Sequence, residues 1–293
     1  VGQVQEGKTS MKLIIGITVA PRPALTYLKC VESLAGVGGA PILFAEPGCC
    51  INHTEYLCVQ RPAVETEKPF FTHSPTGVFG NFQNWIQTAM DLLEISGDAD
   101  TIMIAEDDAL FAFGIVPLLE RDLWPSADCG VVSLYSPNMA QYAGQQGLNK
   151  AKVLKGEIDS RRNNLVGALA LVFPRDVLEQ LVKKHASMDR WGGAHNQRSK
   201  GVPPWERKAI DTWIGRELVN MQKTIWHYSP SLVLHWSPLP AGQSNSSLGH
   251  DAPRGSSSVR QCREWIGEHP GDLCALYPPA KELHVTNLHP SQI

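Results

Sequence analysis

The sequence predicts an α/β fold: a single Rossmann-like domain whose central, mostly parallel sheet is flanked by helices and followed by a loop-rich C-terminal tail. Three observations predict it. The runs from Lys12 to Val19 and from Asp100 to Ala105 are continuously apolar and rich in β-branched residues, as strands covered on both faces must be. Apolar residues at helical spacing separate such runs. The strand, helix, strand order then calls for right-handed crossovers and parallel pairing.

Taken in chain order, the first strand ends at Ala20-Pro21-Arg22-Pro23. From Ala24 to Leu34 the residues Leu25, Leu28, Val31 and Leu34 recur at intervals of three, which predicts a helix with that face on the sheet. Glycines between 36 and 39 stop it, and Pro41 to Ala45 supplies a short second strand. Glu46 to Pro75 is loop-rich. Gly77 and Gly80 then lead into a helix on which Trp85, Ala89, Leu92 and Leu93 share a face, ending near Gly97. After the strand from Asp100 to Ala105 come Glu106-Asp107-Asp108 and Ala109-Leu110-Phe111.

Cys129 to Leu134 reads as a further strand, followed by a polar stretch through Asn149 that suits a mobile loop or one facing a substrate. Asn164 to Phe173 is strand-like, and Pro174 opens a helix from Arg175 to Lys184. Met188 to Trp205 mixes Gly, Pro, Arg and Trp as an irregular loop, offering either a stacking platform or a packed lid. Lys208 to Leu218 is helical, Ser231 to Trp236 strand-like, and beyond Pro238 Ser, Gly and Pro dominate. Residues 11–251 are read as one domain. Residues 252–293 form an extension packed on it, and 1–10 are a disordered terminus or an expression remnant.

The bulk numbers narrow the function classes. Lys and Arg total 26 against 29 Asp and Glu, so the net charge of -3 gives no global attraction to phosphate backbones or anionic lipid. Lys150 to Lys155 and Arg161-Arg162 form a local basic strip, suited to a phosphorylated or nucleic-acid acceptor or to plain solvated surface. No run approaches the ~20 apolar residues of a membrane span, and the first residues lack the apolar core of a secretory signal, so a cytoplasmic location is expected. Seven cysteines without a zinc-ribbon spacing read as free thiols. In an oxidising compartment Cys262 and Cys274 could pair, and the sequons at Asn52 and Asn245 could be used.

The acidic triplet carries the chemistry. Three adjacent carboxylates at the end of a buried strand repel one another unless a cation is near, and hard oxygen ligands suit Mg²⁺ or Mn²⁺ holding a diphosphate. Read alone, the triplet fits equally well a solvated acidic turn that caps a helix starting at Ala109.

Ile102-Met103-Ile104-Ala105-Glu106-Asp107-Asp108-Ala109 resembles the strand and acidic motif, of DxD or EDD type, of glycosyltransferases with the GT-A fold. The resemblance implies Asp108 as the main metal ligand, with Glu106 or Asp107 reaching the donor ribose or the metal's water shell. Ile17-Thr18-Val19-Ala20-Pro21-Arg22 is similar to the family's opening strand and turn, which implies Thr18, Ala20 and Arg22 at the donor base. Gly77-Val78-Phe79-Gly80-Asn81 resembles a helix entry suited to an anionic donor, implicating Asn81, although an ordinary N-cap has the same sequence.

Tyr228 to His235 looks like the family's late strand and implies His235 as a second metal ligand, imidazole suiting Mn²⁺ better than Mg²⁺. In this chain Trp236-Ser237-Pro238-Leu239-Pro240 lengthens the turn before Ser246-Ser247, a departure from the pattern. Inverting members carry a general base on a helix between late strands, which implies Asp211, with Glu206 nearby as the fallback. The expectation is a metal-dependent, inverting transfer from a nucleotide-diphosphate sugar, a UDP-sugar for preference. The acceptor hydroxyl belongs to a saccharide, small molecule, protein or modified nucleic-acid base. The alternatives are a nucleotidyltransferase or other phosphoryl-transfer enzyme, for which residues 20–24 lack a Gly-rich phosphate loop, and a non-catalytic nucleotide-sugar-binding protein.

Overall fold

The computed structural model describes residues 11–21, 25–34, 40–46, 48–49, 51–52, 55–60, 80–136, 147–151, 165, 167–186 and 210–235, the side chains of 80–83, 185–186 and 212 excepted. Among them, β1 (Leu13–Val19), α1 (Thr26–Leu34), β2 (Ile42–Ala45) and β3 (Cys58–Gln60) build one side of the sheet. α2 (Gly80–Ile95) leads back to the centre at β4 (Thr101–Glu106), followed by β5 (Ala109–Phe111) and α3 (Ile115–Asp122). The other side comes from β6 (Cys129–Ser133), β7 (Gly147–Lys150), β8 (Ala170–Pro174) and β9 (Thr224–Ser229), with α4 (Arg175–Ala186) and α5 (Ile210–Asn220) between β8 and β9. β10 (Val233–His235) comes last.

The eight-stranded sheet runs β3-β2-β1-β4-β8-β6-β9-β7. Parallel pairing joins β1 to β2 and β4, β2 to β3, and β6 to β9. β8 is antiparallel to both β4 and β6, and β7 to β9. The predicted class is therefore found: a mostly parallel, Rossmann-like α/β sheet with helices on both faces.

Alternation along the strands sorts the core into two layers. Ile15, Ile17, Met103 and Ala105 face the layer of α1 and α3, with Tyr27, Cys30, Leu34, Leu118 and Leu119. Ile102, Ile104 and Phe44 face the layer of α2, α4 and α5, with Trp85, Leu92, Leu178 and Trp213. Gly16 permits the second layer to approach closely, because a Cβ there would lie 2.6 Å from Leu92 Cδ1.

Several sequence expectations are corrected. On α1 the period-three set is not the buried face: Leu25 is 47% and Leu28 37% exposed, whereas Tyr27, Cys30 and Leu34 are buried. A spacing of three drifts round a helix of 3.6 residues per turn, while 27, 30, 31 and 34 follow the i, i+3, i+4, i+7 face. The acids do not cap a helix, for β5 follows them and Asp107 and Asp108 are 2% and 3% exposed. The polar stretch ending at Asn149 is a strand in its final part, Gly147–Lys150, where it pairs with β9. Of the segment read as a strand from Asn164, the described strand is Ala170–Pro174, with residues 167–169 before it outside any strand. β9 was not anticipated, and the late strand contracts to Val233–His235, which leaves the central sheet to pair with β5. β3 also interrupts the region read as loop. Met188 to Trp205, Arg161-Arg162, Cys262, Cys274, Asn245 and the tail beyond His235 lie outside the described residues.

The junction of α2 with α4 carries a stability prediction. Arg175, at the start of α4, donates to the carbonyls of Leu93 at 2.7 Å and Ala99 at 3.2 Å, and to Ser96 Oγ at 2.5 Å, while Glu179 accepts from its Nε at 3.1 Å. It caps the Leu93 carbonyl in the last turn of α2 and ties the Ala99 carbonyl of the following turn to α4. Arg175→Ala should cost roughly 1.5–3 kcal/mol in urea unfolding. Arg175→Lys, a point charge without the planar fork, should recover only part of that.

Candidate functional site

The order of the sheet reverses between β1 and β4: from β1 the chain moves outward through β2 and β3, then returns to the other side of β1. Such a switch point leaves a crevice at the carboxyl ends of the strands, where ligands of open α/β sheets bind. Thr18 pairs in register with Glu106 across it. The acidic triplet thus emerges at the position the topology itself marks out.

The three carboxylates diverge. Glu106 lies one step beyond Ala105, so alternation places it on the face of Ile102 and Ile104, and its N–H donates to Leu169 O at 2.9 Å. Asp107 turns to the opposite face, where Thr26 Oγ1 donates to its Oδ2 at 2.5 Å. Asp108 Oδ2 lies 2.9 Å from His235 Nε2.

That last contact joins residues 127 positions apart, and the small sheet makes it. β5 and β10 are antiparallel with His235 opposite Ala109, so the residue before β5 meets the last residue of β10. Ser231, fully buried, fixes the approach of the chain, its hydroxyl donating to Val233 O at 2.7 Å, with Leu134 O at 3.2 Å the alternative acceptor, while accepting from Ser136 N–H at 3.1 Å. Leu232 N–H donates to Leu134 O, and Ala112 N–H to Leu232 O.

Asp108 and His235 are suited to a divalent cation. The 2.9 Å spacing is that of a hydrogen bond or ion pair, and it is also close to the about 3.0 Å between adjacent ligand atoms in an octahedral shell with bonds of about 2.1 Å. Among the described residues no group of three or more His, Cys, Asp or Glu could hold a metal ion.

Asp211, in the first turn of α5, accepts the N–H of Gly167 on Oδ2 at 2.7 Å. Gly167 has φ of +74°, and a Cβ there would meet the Tyr135 ring at 2.9 Å, so the position calls for glycine. Leu169, two residues on, bonds Glu106. Two Cα–Cα steps span at most about 7.6 Å, so Asp211 is tethered to the same sheet edge as the triplet.

Thr18 is buried and its hydroxyl donates to Ala105 O at 3.2 Å, bracing β1 against β4. Ala20 follows Val19, whose carbonyl accepts Glu46 N–H at 2.9 Å. Arg22 and Glu206 lie outside the described residues, as does the side chain of Asn81, whose backbone is in the first turn of α2. Sequence reasoning overlooked Thr26, Gly167 and Glu46. Thr26, first residue of α1, and Gly167, in a Val-Gly-Ala context, carried only weak local signals, and Glu46 carried none beyond its place after a strand.

Cys30, Cys49, Cys58 and Cys129 are free thiols. Burial, reinforced by Glu46 and Asp107, pushes the Cys49 thiol up to about 12, and burial with Asp128 does the same for Cys129. The folded chain therefore keeps protons that the unfolded chain releases from about pH 8.5 upward. Their stabilisation is complete below that pH and is lost as pH rises towards 12. The urea midpoint should fall across this window, and Cys129→Ala should show a shallower fall than wild type.

No family model matches the sequence, and no curated protein matches it. Among solved structures the chain is similar to the inositol-1-phosphate CTP transferase from T. maritima, with 14% identity over 76% of this chain and 90% of that one, at a TM-score of 0.38. It is also similar to the galactosyltransferase LgtC in complex with donor and acceptor sugar analogs, with 12% identity over 86% and 95% of the two chains, at a TM-score of 0.42. Overlaps this loose carry no argument about activity, and the fold class rests on the strand order and pairing described above. No helix among the described residues is long and apolar enough to cross a membrane.

Proposed function

We propose that the protein is a metal-dependent glycosyltransferase that moves a sugar from a nucleotide-diphosphate donor, a UDP-sugar for preference, to an acceptor hydroxyl with inversion. The observation that carries the reading is the 2.9 Å approach of Asp108 Oδ2 to His235 Nε2 beside the switch point. In this reading Asp108 and His235 hold Mn²⁺ or Mg²⁺, which when bound neutralises charge on the leaving diphosphate. Glu106 would face the donor ribose, and Ala20, Arg22 and Asn81 would serve the base and phosphate side, while buried Thr18 braces β1 against β4 behind them. Asp211, held by the Gly167 N–H, takes the proton from the acceptor hydroxyl as that oxygen attacks the anomeric carbon.

The test is calorimetric titration with UDP and Mn²⁺, followed by a donor panel scored for sugar release. Binding that needs both nucleotide and metal, with sugar release from one donor, supports the reading. Binding of a nucleoside triphosphate with pyrophosphate release, and no sugar transfer, would replace it with nucleotidyl transfer.

A further inference from the structure

Helix α1 turns a polar stripe towards the acidic turn. Thr26, Cys30 and Ser33 fall at i, i+4 and i+7, on one helical face. Thr26 Oγ1 donates to Asp107 Oδ2 at 2.5 Å, Cys30 Sγ donates to the Glu106 carbonyl at 3.7 Å, and Ser33 Oγ accepts the Phe111 N–H at 3.0 Å. The bonds fall on both sides of Asp108, two before it and one after.

Thr26 and Asp107 are each 2% exposed, so the carboxylate is committed to the α1 layer beneath the sheet edge. A buried carboxyl group needs a hydrogen-bond partner, and the Thr26 hydroxyl supplies one. Asp108, one residue on, points instead to His235. The neighbouring acids therefore face different elements, and the backbone between them is held by the helix.

We infer that Asp107 is a positioning residue, not a ligand of donor or metal: its bond to Thr26 anchors the turn on α1 and so aims Asp108 at His235. The inference rests on the functional reading for what Asp108 then holds. Residues that orient a ligand from behind typically change metal affinity by about 10–100-fold when they are removed.

The experiment measures Mn²⁺ affinity in the presence of UDP on the full chain, reading free Mn²⁺ by electron paramagnetic resonance. Thr26→Val, equal in shape but without the hydroxyl, should weaken Mn²⁺ by roughly 10–100-fold, and Thr26→Ser should restore affinity. Asp107→Asn keeps a carbonyl oxygen for the Thr26 hydroxyl, so it should lose less than Thr26→Val and far less than Asp108→Asn. A loss in Asp107→Asn equal to that in Asp108→Asn makes Asp107 a ligand and overturns the inference. So does wild-type affinity in Thr26→Val. Should Thr26→Val lack a cooperative urea transition, the comparison of the two asparagine variants decides alone. A wild type that binds no Mn²⁺ with UDP overturns the functional reading and the inference with it, an outcome distinct from a wild type that binds while Thr26→Val is unaffected.

Discussion

Asp108→Asn should lower kcat/KM by about 10²–10³-fold, the scale on which removing one preorganised electrostatic stabiliser acts, and should abolish detectable Mn²⁺ binding in the presence of UDP. At the upper end this is about 4 kcal/mol of lost transition-state stabilisation. The fold should not suffer. Asp108 is 3% exposed, and burial disfavours a charged carboxylate, so replacing it by the neutral amide lessens the cost of burying a charge. The amide keeps the shape and an acceptor for His235. We therefore expect a melting temperature equal to or above wild type together with lost activity, the pattern of a residue kept for function at a cost in stability. A variant that loses stability but retains metal-dependent transfer would show that Asp108 is structural. His235→Ala should lose metal affinity in parallel, and with both replaced the losses should fall short of multiplying, because the two side chains are in contact.

The class of fold was legible because its signal is local. Ile14, Ile15, Ile17 and Val19 form a continuous apolar run that calls for cover on both faces, so a mostly parallel α/β sheet follows with little freedom, although its strand order does not. The errors fall where tertiary contacts override local pattern. Residues 25, 28, 31 and 34 form an apolar set that periodicity alone accepts, yet only a true helical face meets the sheet. β9 went unread because Thr224, His227 and Ser229 interrupt its apolar residues, although His227 and Ser229 are buried. The site was legible in part. The acids emerge at a strand end, as a polar group leaving a buried strand must, but no local rule links Asp108 to His235 or Gly167 to Asp211. Those meetings depend on the β5–β10 ladder and on a backbone N–H, and a backbone N–H leaves no mark in a sequence. Resemblance in motif order pointed to His235 and Asp211, while Thr26 and Gly167 emerged only in three dimensions.

Asp211→Asn should reduce kcat by about 10²–10⁴-fold, the range that a positioned general base contributes, with the affinity for donor and metal unchanged. The two variants are thus expected to divide the reaction: Asp108→Asn acts on binding and departure of the nucleotide, Asp211→Asn on activation of the acceptor. Asparagine retains an oxygen to accept the Gly167 N–H, so the start of α5 should keep its place and the lost rate should reflect lost basicity. Gly167→Ala provides the complementary arm, since a side chain at φ of +74° facing the Tyr135 ring must displace the N–H and with it the carboxylate. It should lower kcat while leaving the basic group intact. If Asp211→Asn retains more than a tenth of wild-type kcat, the base lies elsewhere, with Glu206 the next residue to replace. If it loses donor binding in step with kcat, Asp211 belongs to the donor site, and the division of labour between the two carboxylates is wrong.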